Sequence, residues 1–204
     1  AEMQQQIRLV PENEVLFDVT IKQLADVTAP LYPTFDYDLL ENALKEFEVP
    51  TDKKITLMSL GQQKKALISL SLACNTPYLF MDEPTNGMDI PSKSSFRRIV
   101  ASSISDNSTV LISTHQVDDL EGLIDYVVIL ENDGVLLSAS LQEIGQKLCF
   151  GVAEEGDEVL YSEQNLRGAW SVMVNKTGEE MPVDIKLLFS AVVKRPDVFK
   201  KIFG

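Results

Sequence analysis

Tyr78-Leu79-Phe80-Met81-Asp82-Glu83-Pro84, followed by Thr85-Asn86-Gly87-Met88-Asp89, is the stretch on which the fold of this 204-residue chain turns. Four consecutive apolar residues predict a short strand buried on both faces, the pattern of a central parallel strand. Asp82 and Glu83 arrive at its C-terminal end, and Pro84 stops it. In open α/β sheets, ligands sit outside the carboxyl ends of the strands. A carboxylate is costly to bury unpaired, so a pair there predicts a cation or a substrate to serve. Asp82 suits Mg2+, which takes oxygen ligands and substrate phosphates. Glu83, one residue on and facing the other way, suits polarising a water. Together they predict the metal-and-water half of a phosphoryl-transfer site. Taken alone, the two carboxylates are equally explained by salt bridging or by capping the next helix. The other half of such a site, a Gly-x-x-x-x-Gly-Lys-Ser/Thr loop, occurs nowhere in the 204 residues.

Outward from that strand the chain alternates strands with helices. Upstream, a helix from about Leu60 to Ala73 carries Leu67, Leu70 and Leu72 on its apolar side. Ile7-Arg8-Leu9-Val10 reads as a short strand ended by Pro11-Glu12-Asn13-Glu14, with residues 1–6 polar and featureless. Between them, residues 20–57 form a helical excursion. Thr20 is a candidate cap for a helix stopped by Pro30 and Pro33. Tyr37, Leu40, Leu44 and Phe47 then follow at helical spacing up to Pro50. Downstream, Pro91 opens a helix carrying Phe96, Ile99, Val100 and Ile104. Val110-Leu111-Ile112 is a second buried strand ending in Ser113-Thr114-His115-Gln116.

A short acidic helix around Val117–Gly122 leads to Tyr126–Leu130. The Asn132-Asp133-Gly134 turn predicts a hairpin with Val135–Ala139. Strand–helix–strand alternation implies right-handed crossovers and a mostly parallel sheet, hence an α/β fold. Leu141–Leu148 reads as a helix, after which the texture changes. Val159–Tyr161 and Trp170–Val174 suggest antiparallel strands, and Asp184–Val193 a terminal helix. A boundary near residue 149 therefore separates residues 1–148 from a small α+β C-terminal extension, residues 149–204.

A net charge of −13 argues against a general binder of nucleic-acid backbone, which needs a basic face. Hydrophobic content of 45% and charged content of 24% are those of an ordinary globular chain. Cys74 and Cys149 are unclustered and read as thiols of a reducing compartment. No apolar run approaches the roughly 18 residues of a membrane span, and the first twenty residues lack the apolar core of a signal peptide. These features predict a cytoplasmic protein whose membrane contact runs through a partner. The acidic run Glu154-Glu155-Gly156-Asp157-Glu158 and Trp170 read first as an ordinary solvated face and a small core, and second as a dimer or regulatory surface.

Two further segments change the weight of the central stretch. Met58-Ser59-Leu60-Gly61-Gln62 opens a helix. Ser59 with Gln62 is an ordinary capping box, yet the same helix N-terminus, with free N–H groups, can receive phosphate. His115, at the end of the next strand, is by itself more readily structural than functional. The ordered series of Ser-x-Gly-Gln, Asp-Glu, Asn-Gly-Met-Asp and a strand-end His resembles the ATP-binding cassette (ABC) family of transporter ATPases over residues 7–148. That resemblance implies a partial P-loop NTPase (ABC cassette) fold, with residues 20–57 as its helical subdomain. By position, Ser59, Gly61 and Gln62 match the family signature and Asp82 its Walker B metal-side aspartate. Glu83 matches the water-polarising glutamate, Asn86–Asp89 the D-loop, and His115 the switch histidine. Two positions depart from the family pattern. Leu60 stands where the signature has its first glycine, and Glu12 occupies the place of the Q-loop glutamine.

What the resemblance implies follows from these matches. The cofactors are ATP and Mg2+. Glu83 and His115 are the catalytic candidates, and Asp82 is the metal ligand. Ser59, Gly61, Gln62, Asp89 and Glu12 are the nucleotide-side residues. The partners are a membrane-spanning permease subunit, docked on the helical subdomain, and a second cassette bound head to tail, so that the signature acts in trans. The protein sits on the inner face of the cell membrane without inserting into it. Tyr32–Asp36 and Leu187–Val192 are similar to ABC-2-type bacterial exporters. Because the Walker A loop is missing, the chain is expected to be a truncated cassette that turns over no ATP alone and leaves a sheet edge or an apolar face uncovered. The alternatives are a naturally P-loop-less, non-catalytic partner that contributes only its signature, or a regulatory module.

Overall fold

Asp82 ends a strand paired in parallel on both of its edges. In the computed structural model, which describes residues 2–13, 16–105, 107–131, 134–165 and 168–204, the order is β1 (Ile7–Val10), β2 (Tyr78–Asp82), β3 (Thr109–Ser113). Both pairings are parallel, and they bring Val10, Met81 and Ile112 into one row and Leu9, Phe80 and Leu111 into the next. The chain falls into two units, residues 1–119 and 120–204.

In the first unit a short helix, α1 (Glu2–Gln5), precedes β1 in the segment expected to be featureless. The excursion after β1 contains α2 (Ile21–Thr28) and α3 (Tyr37–Glu46). Thr20 and Gln23 form a reciprocal capping box at the start of α2, and Asp36 caps α3 by accepting from the Leu39 amide. The long helix α4 (Leu60–Ala73) is buried without a break from Ala66 to Ala73. It packs against β1, α2 and α3, while α3 also meets α5 (Ile90–Ser103). A helix whose second half is buried on all sides in this way is a core element rather than a surface one.

The expectation that β2 is buried on both faces is corrected. Leu79 and Met81 are buried with Val10, but Tyr78, Leu9 and Leu111 on the opposite face are 46%, 55% and 53% exposed. Alternation along a strand sends successive side chains to opposite faces, and among the described residues the covering layer lies on the Leu79–Met81 face.

The second unit begins with an antiparallel hairpin of β4 (Tyr126–Glu131) and β5 (Gly134–Ser140). Asn132 and Asp133 of its expected turn lie outside the described residues. Next come α6 (Leu141–Lys147), β6 (Leu148–Gly151), β7 (Val159–Asn165), β8 (Gly168–Val174), α7 (Ile185–Lys194) and α8 (Pro196–Phe203). The last three strands form an antiparallel sheet in the order β6-β8-β7. Val127, Ile129 and Leu137 of the hairpin share one buried cluster with Leu148, Val172, Leu188, Val192 and Phe199. Packing therefore divides the chain at 119/120, ahead of the change in texture near 149, because the hairpin buries its apolar face against the C-terminal elements. Neither β6 nor α8 is expected from the pattern. β6 is four residues long and follows α6 directly, while α8 starts a new turn at Pro196, two residues after α7 ends.

Gly145 in α6 is held by this packing. Its carbonyl accepts from Asn175 Nδ2 at 2.8 Å and from the Met181 amide at 3.2 Å. A Cβ there would collide with the Met181 carbonyl. Gly145→Ala is expected to destabilise the second unit by about 1–3 kcal/mol, the usual penalty of overpacking. The single tryptophan, Trp170, lies in this unit and donates to Asp184 Oδ2 at 3.2 Å, so urea denaturation followed by its fluorescence reports the change. An alanine variant as stable as the parent would contradict the contact.

Candidate functional site

The parallel register sets Asp82 beside Ser113, and the side chains complete the pairing. Ser113 Oγ donates to Asp82 Oδ1 at 2.5 Å. One residue later the backbone turns sharply, and Glu83 adopts a φ of 45°. The left-handed region costs a non-glycine residue about 1–2 kcal/mol, and such strain persists only where the surroundings over-determine it. Here they do. The Glu83 amide donates to the Ser113 carbonyl at 2.9 Å, and its own carbonyl accepts from the Asn86 amide at 3.2 Å.

The Glu83 carboxylate thereby points at the end of β3 rather than along β2. Its Oε2 accepts from Thr114 Oγ1 at 2.9 Å, and its Oε1 accepts from the His115 amide at 2.9 Å. The same Oε1 lies 2.6 Å from His115 Nδ1. The Glu83 side chain is 16% exposed and that of His115 is 69% exposed, so the glutamate is sheltered and the imidazole is not. Asp82, Glu83 and His115, expected together from the sequence, are brought together. Glu12 also joins them, because its Oε1 accepts from Asn86 Nδ2 at 3.0 Å and ties the segment after β1 to the segment after β2.

At the start of α4, Ser59 Oγ accepts from the Gln62 amide at 3.3 Å, and Gln62 Oε1 accepts from the Ser59 amide at 3.2 Å. The capping box expected as the ordinary explanation of these residues is therefore present. A Cβ on Gly61 would first meet the Gly87 carbonyl at 3.7 Å, which is ordinary contact. Packing within this chain consequently does not demand a glycine there, although the contact sets the signature segment against Asn86–Asp89. Leu60, the residue that departs from the family signature, is 74% exposed. Asp89 caps α5 by accepting from the Ser92 amide at 2.8 Å, and hydrogen bonding by Ser92 holds its carboxyl below the usual range. Ser59, Gln62 and Asp89 thus each have a structural duty as helix caps.

Several residues of the site went unnoticed in the sequence. Lys64, one turn into α4, donates from Nζ to the Glu83 carbonyl at 2.7 Å and to the Asn86 carbonyl at 3.3 Å. Burial lowers its pKa, and the charges of Glu12, Glu83 and Asp82 oppose that shift. Asp119 accepts from Thr85 Oγ1 at 2.8 Å and pairs with Lys93 at 2.7 Å, while Lys93 also donates to Gln116 Oε1 at 2.8 Å. Adjacency to the Asp-Glu pair and to His115 was the available signal for Thr85, Thr114 and Gln116. No pattern in the sequence marked Lys64.

Among the described residues, no group of three or more His, Cys, Asp or Glu side chains converges as a metal site. Asp82 offers a carboxylate at the end of β2, with one oxygen bonded by Ser113. That fits Mg2+, which is commonly held through one or two carboxylates plus substrate phosphates rather than by an all-protein cage. Among the described residues, no helix is long and apolar enough to cross a membrane.

A parallel sheet with a carboxylate pair at its strand ends, and a capped helix abutting the turn that follows, are consistent with part of a P-loop NTPase fold. The comparisons with known proteins narrow the class. No family model matches the chain. The ABC transporter ATP-binding protein YtrB of Bacillus subtilis is 26% identical over 147 residues, 71% of this chain and 50% of the relative. The ABC transporter ATP-binding protein NatA of the same organism is 25% identical over 151 residues, 71% of this chain and 61% of the relative. Among solved structures, an ATP-binding subunit of an ABC transporter superposes with a TM-score of 0.61 at 24% identity, covering 69% of this chain and 61% of that one. The chain is thus related to the ATP-binding proteins of ABC transporters and carries part of the ABC ATPase fold. It spans half the length of YtrB and about three fifths of NatA.

Proposed function

We propose that this chain supplies the Walker B, signature, D-loop and switch parts of an ATP-hydrolysing ABC transporter subunit, and that the phosphate-gripping Walker A loop is contributed from outside these 204 residues. The observation that carries this proposal is the Glu83 carboxylate, held by Thr114 and His115 beside Asp82 at the ends of two parallel strands. Bound Mg2+–ATP supplies the transferable phosphoryl group and a Lewis acid. With it bound, Asp82 would offer an oxygen toward the metal, Glu83 would take a proton from the attacking water, and His115 would sense the terminal phosphate. The amides at the start of α4, beside Ser59, Gly61 and Gln62, face the nucleotide of a second cassette bound head to tail, with Asp89 nearby. Glu12 stands in the position that reports to the metal and water.

The helical segment 20–57 is the docking place for a membrane-spanning permease subunit. The protein then works at the cytoplasmic face of the membrane, in export, with residues 149–204 as an appended α+β element. Phosphoryl transfer depends chiefly on positioning and electrostatics, and without a P-loop nothing grips the β- and γ-phosphates.

The test is equilibrium binding of Mg2+–ATP to two proteins. One is the 204-residue chain, and the other is the same chain fused behind the P-loop-bearing front segment of a related cassette. The chain alone is expected to bind ATP at least about 100-fold more weakly than the fusion, the loss of roughly 3 kcal/mol expected when several charge-assisted contacts go. Equal binding would contradict the proposal.

A further inference from the structure

Lys64 is the cation nearest the strained peptide at Glu83, and no role in the proposed chemistry has been given to it. It stands on α4, four residues after the Ser59–Leu60 start of the helix, and its Nζ crosses to the turn after β2. It bonds two carbonyls of that turn, Glu83 O at 2.7 Å and Asn86 O at 3.3 Å. These are the carbonyl of the left-handed residue and that of the residue whose side chain reaches Glu12. From the opposite side the Glu83 amide is held by Ser113. The peptide is therefore pinned at one end by β3 and at the other by the signature helix.

We propose that Lys64 is a positioning residue that holds the Glu83 peptide in its left-handed turn and makes the aim of the Glu83 carboxylate depend on the placement of helix α4. The inference rests on the proposed ATPase reading of this site. Three features support it. A positive φ at a non-glycine residue needs external support. An ammonium donor to a carbonyl gives a charge-assisted bond, stronger than a neutral one. The ammonium is also half-buried, where a hydrogen bond is electrostatically stronger than in water. The consequence is a direct mechanical link. A displacement of the α4 N-terminus, where a second cassette's nucleotide would bind, shifts the anchor of the residue that activates water. Both acceptors of Lys64 are backbone carbonyls of the Glu83 turn, so its loss is expected to act on the chemical step through Glu83 rather than on ATP binding.

The test uses the fusion carrying a P-loop, with Glu83→Gln measured alongside, and amide exchange in the unfused chain. In Lys64→Met, which keeps the length of the side chain and removes the donors, kcat is expected to fall about tenfold, with the KM for ATP changed less than about twofold. Lys64→Arg, which can donate to both carbonyls, is expected to restore at least half of kcat. Exchange at the Asn86 amide is expected to accelerate in Lys64→Met and not in Lys64→Arg. An unchanged kcat in Lys64→Met overturns the proposal. So does an equal loss in the arginine variant, or a loss confined to KM. If Glu83→Gln itself leaves turnover intact, the ATPase reading fails and the role of Lys64 falls with it. A strong effect of Glu83→Gln with none for Lys64→Met removes Lys64 alone.

Discussion

Glu83→Gln is expected to lower ATP turnover in the P-loop-bearing fusion by about 100-fold or more while leaving ATP bound, within the range that a positioned general base contributes. The amide is nearly isosteric and keeps an oxygen for the Thr114 hydroxyl or the His115 amide, so the turn retains its shape. What is lost is proton affinity at the atom that must take a proton from water. The variant should therefore separate binding from chemistry. Nucleotide retained on the variant protein should be ATP, and on the parent a mixture with ADP. Turnover equal to the parent would remove Glu83 from its role. Turnover lost together with ATP binding would point instead to a collapsed turn.

Asp119→Ala is expected to destabilise the first unit by about 3 kcal/mol, the scale for removing one partner of a buried ion pair. The Asp119 side chain is 12% exposed and that of Lys93 is 22% exposed, so water compensates poorly for the lost partner. Thr85, itself buried to 1% exposure, loses the acceptor of its hydroxyl at the same time. Asp119→Asn keeps an acceptor for Thr85 and removes the charge, and should cost less. Urea denaturation followed by far-ultraviolet circular dichroism measures both variants. A loss below about 1 kcal/mol in Asp119→Ala would place this pair with the exposed ones that contribute little. Because Thr85 lies two residues after Glu83 and Gln116 one after His115, the same network braces both segments that meet at the carboxylate.

How far the sequence foretold this site depends on the kind of signal each residue carries. Asp82, Glu83 and His115 were legible because they end apolar runs, and a parallel sheet gathers strand ends on one side. Ser59 and Gln62 were legible twice over, as a capping box and as a signature. The structure shows the first use directly. Lys64 was invisible because its partners are backbone carbonyls, which leave no trace in residue type. Burial of β2 on both faces was an overreach for the same physical reason that made the strand recognisable. An apolar run reports what a sheet is built to cover, not which layers are present to cover it. The division at 119/120 was hidden because a hairpin is recognised by its turn, whereas the unit it joins is decided by which apolar cluster receives Val127, Ile129 and Leu137.

The central claim is that these strand ends and this helix are one arm of an ATP-hydrolysing site. Phosphate release from Mg2+–ATP by the fusion of this chain to a P-loop-bearing front segment tests it most directly. Saturable turnover that is absent from the 204-residue chain alone is the predicted result. A folded fusion that binds Mg2+–ATP yet releases no phosphate would contradict it.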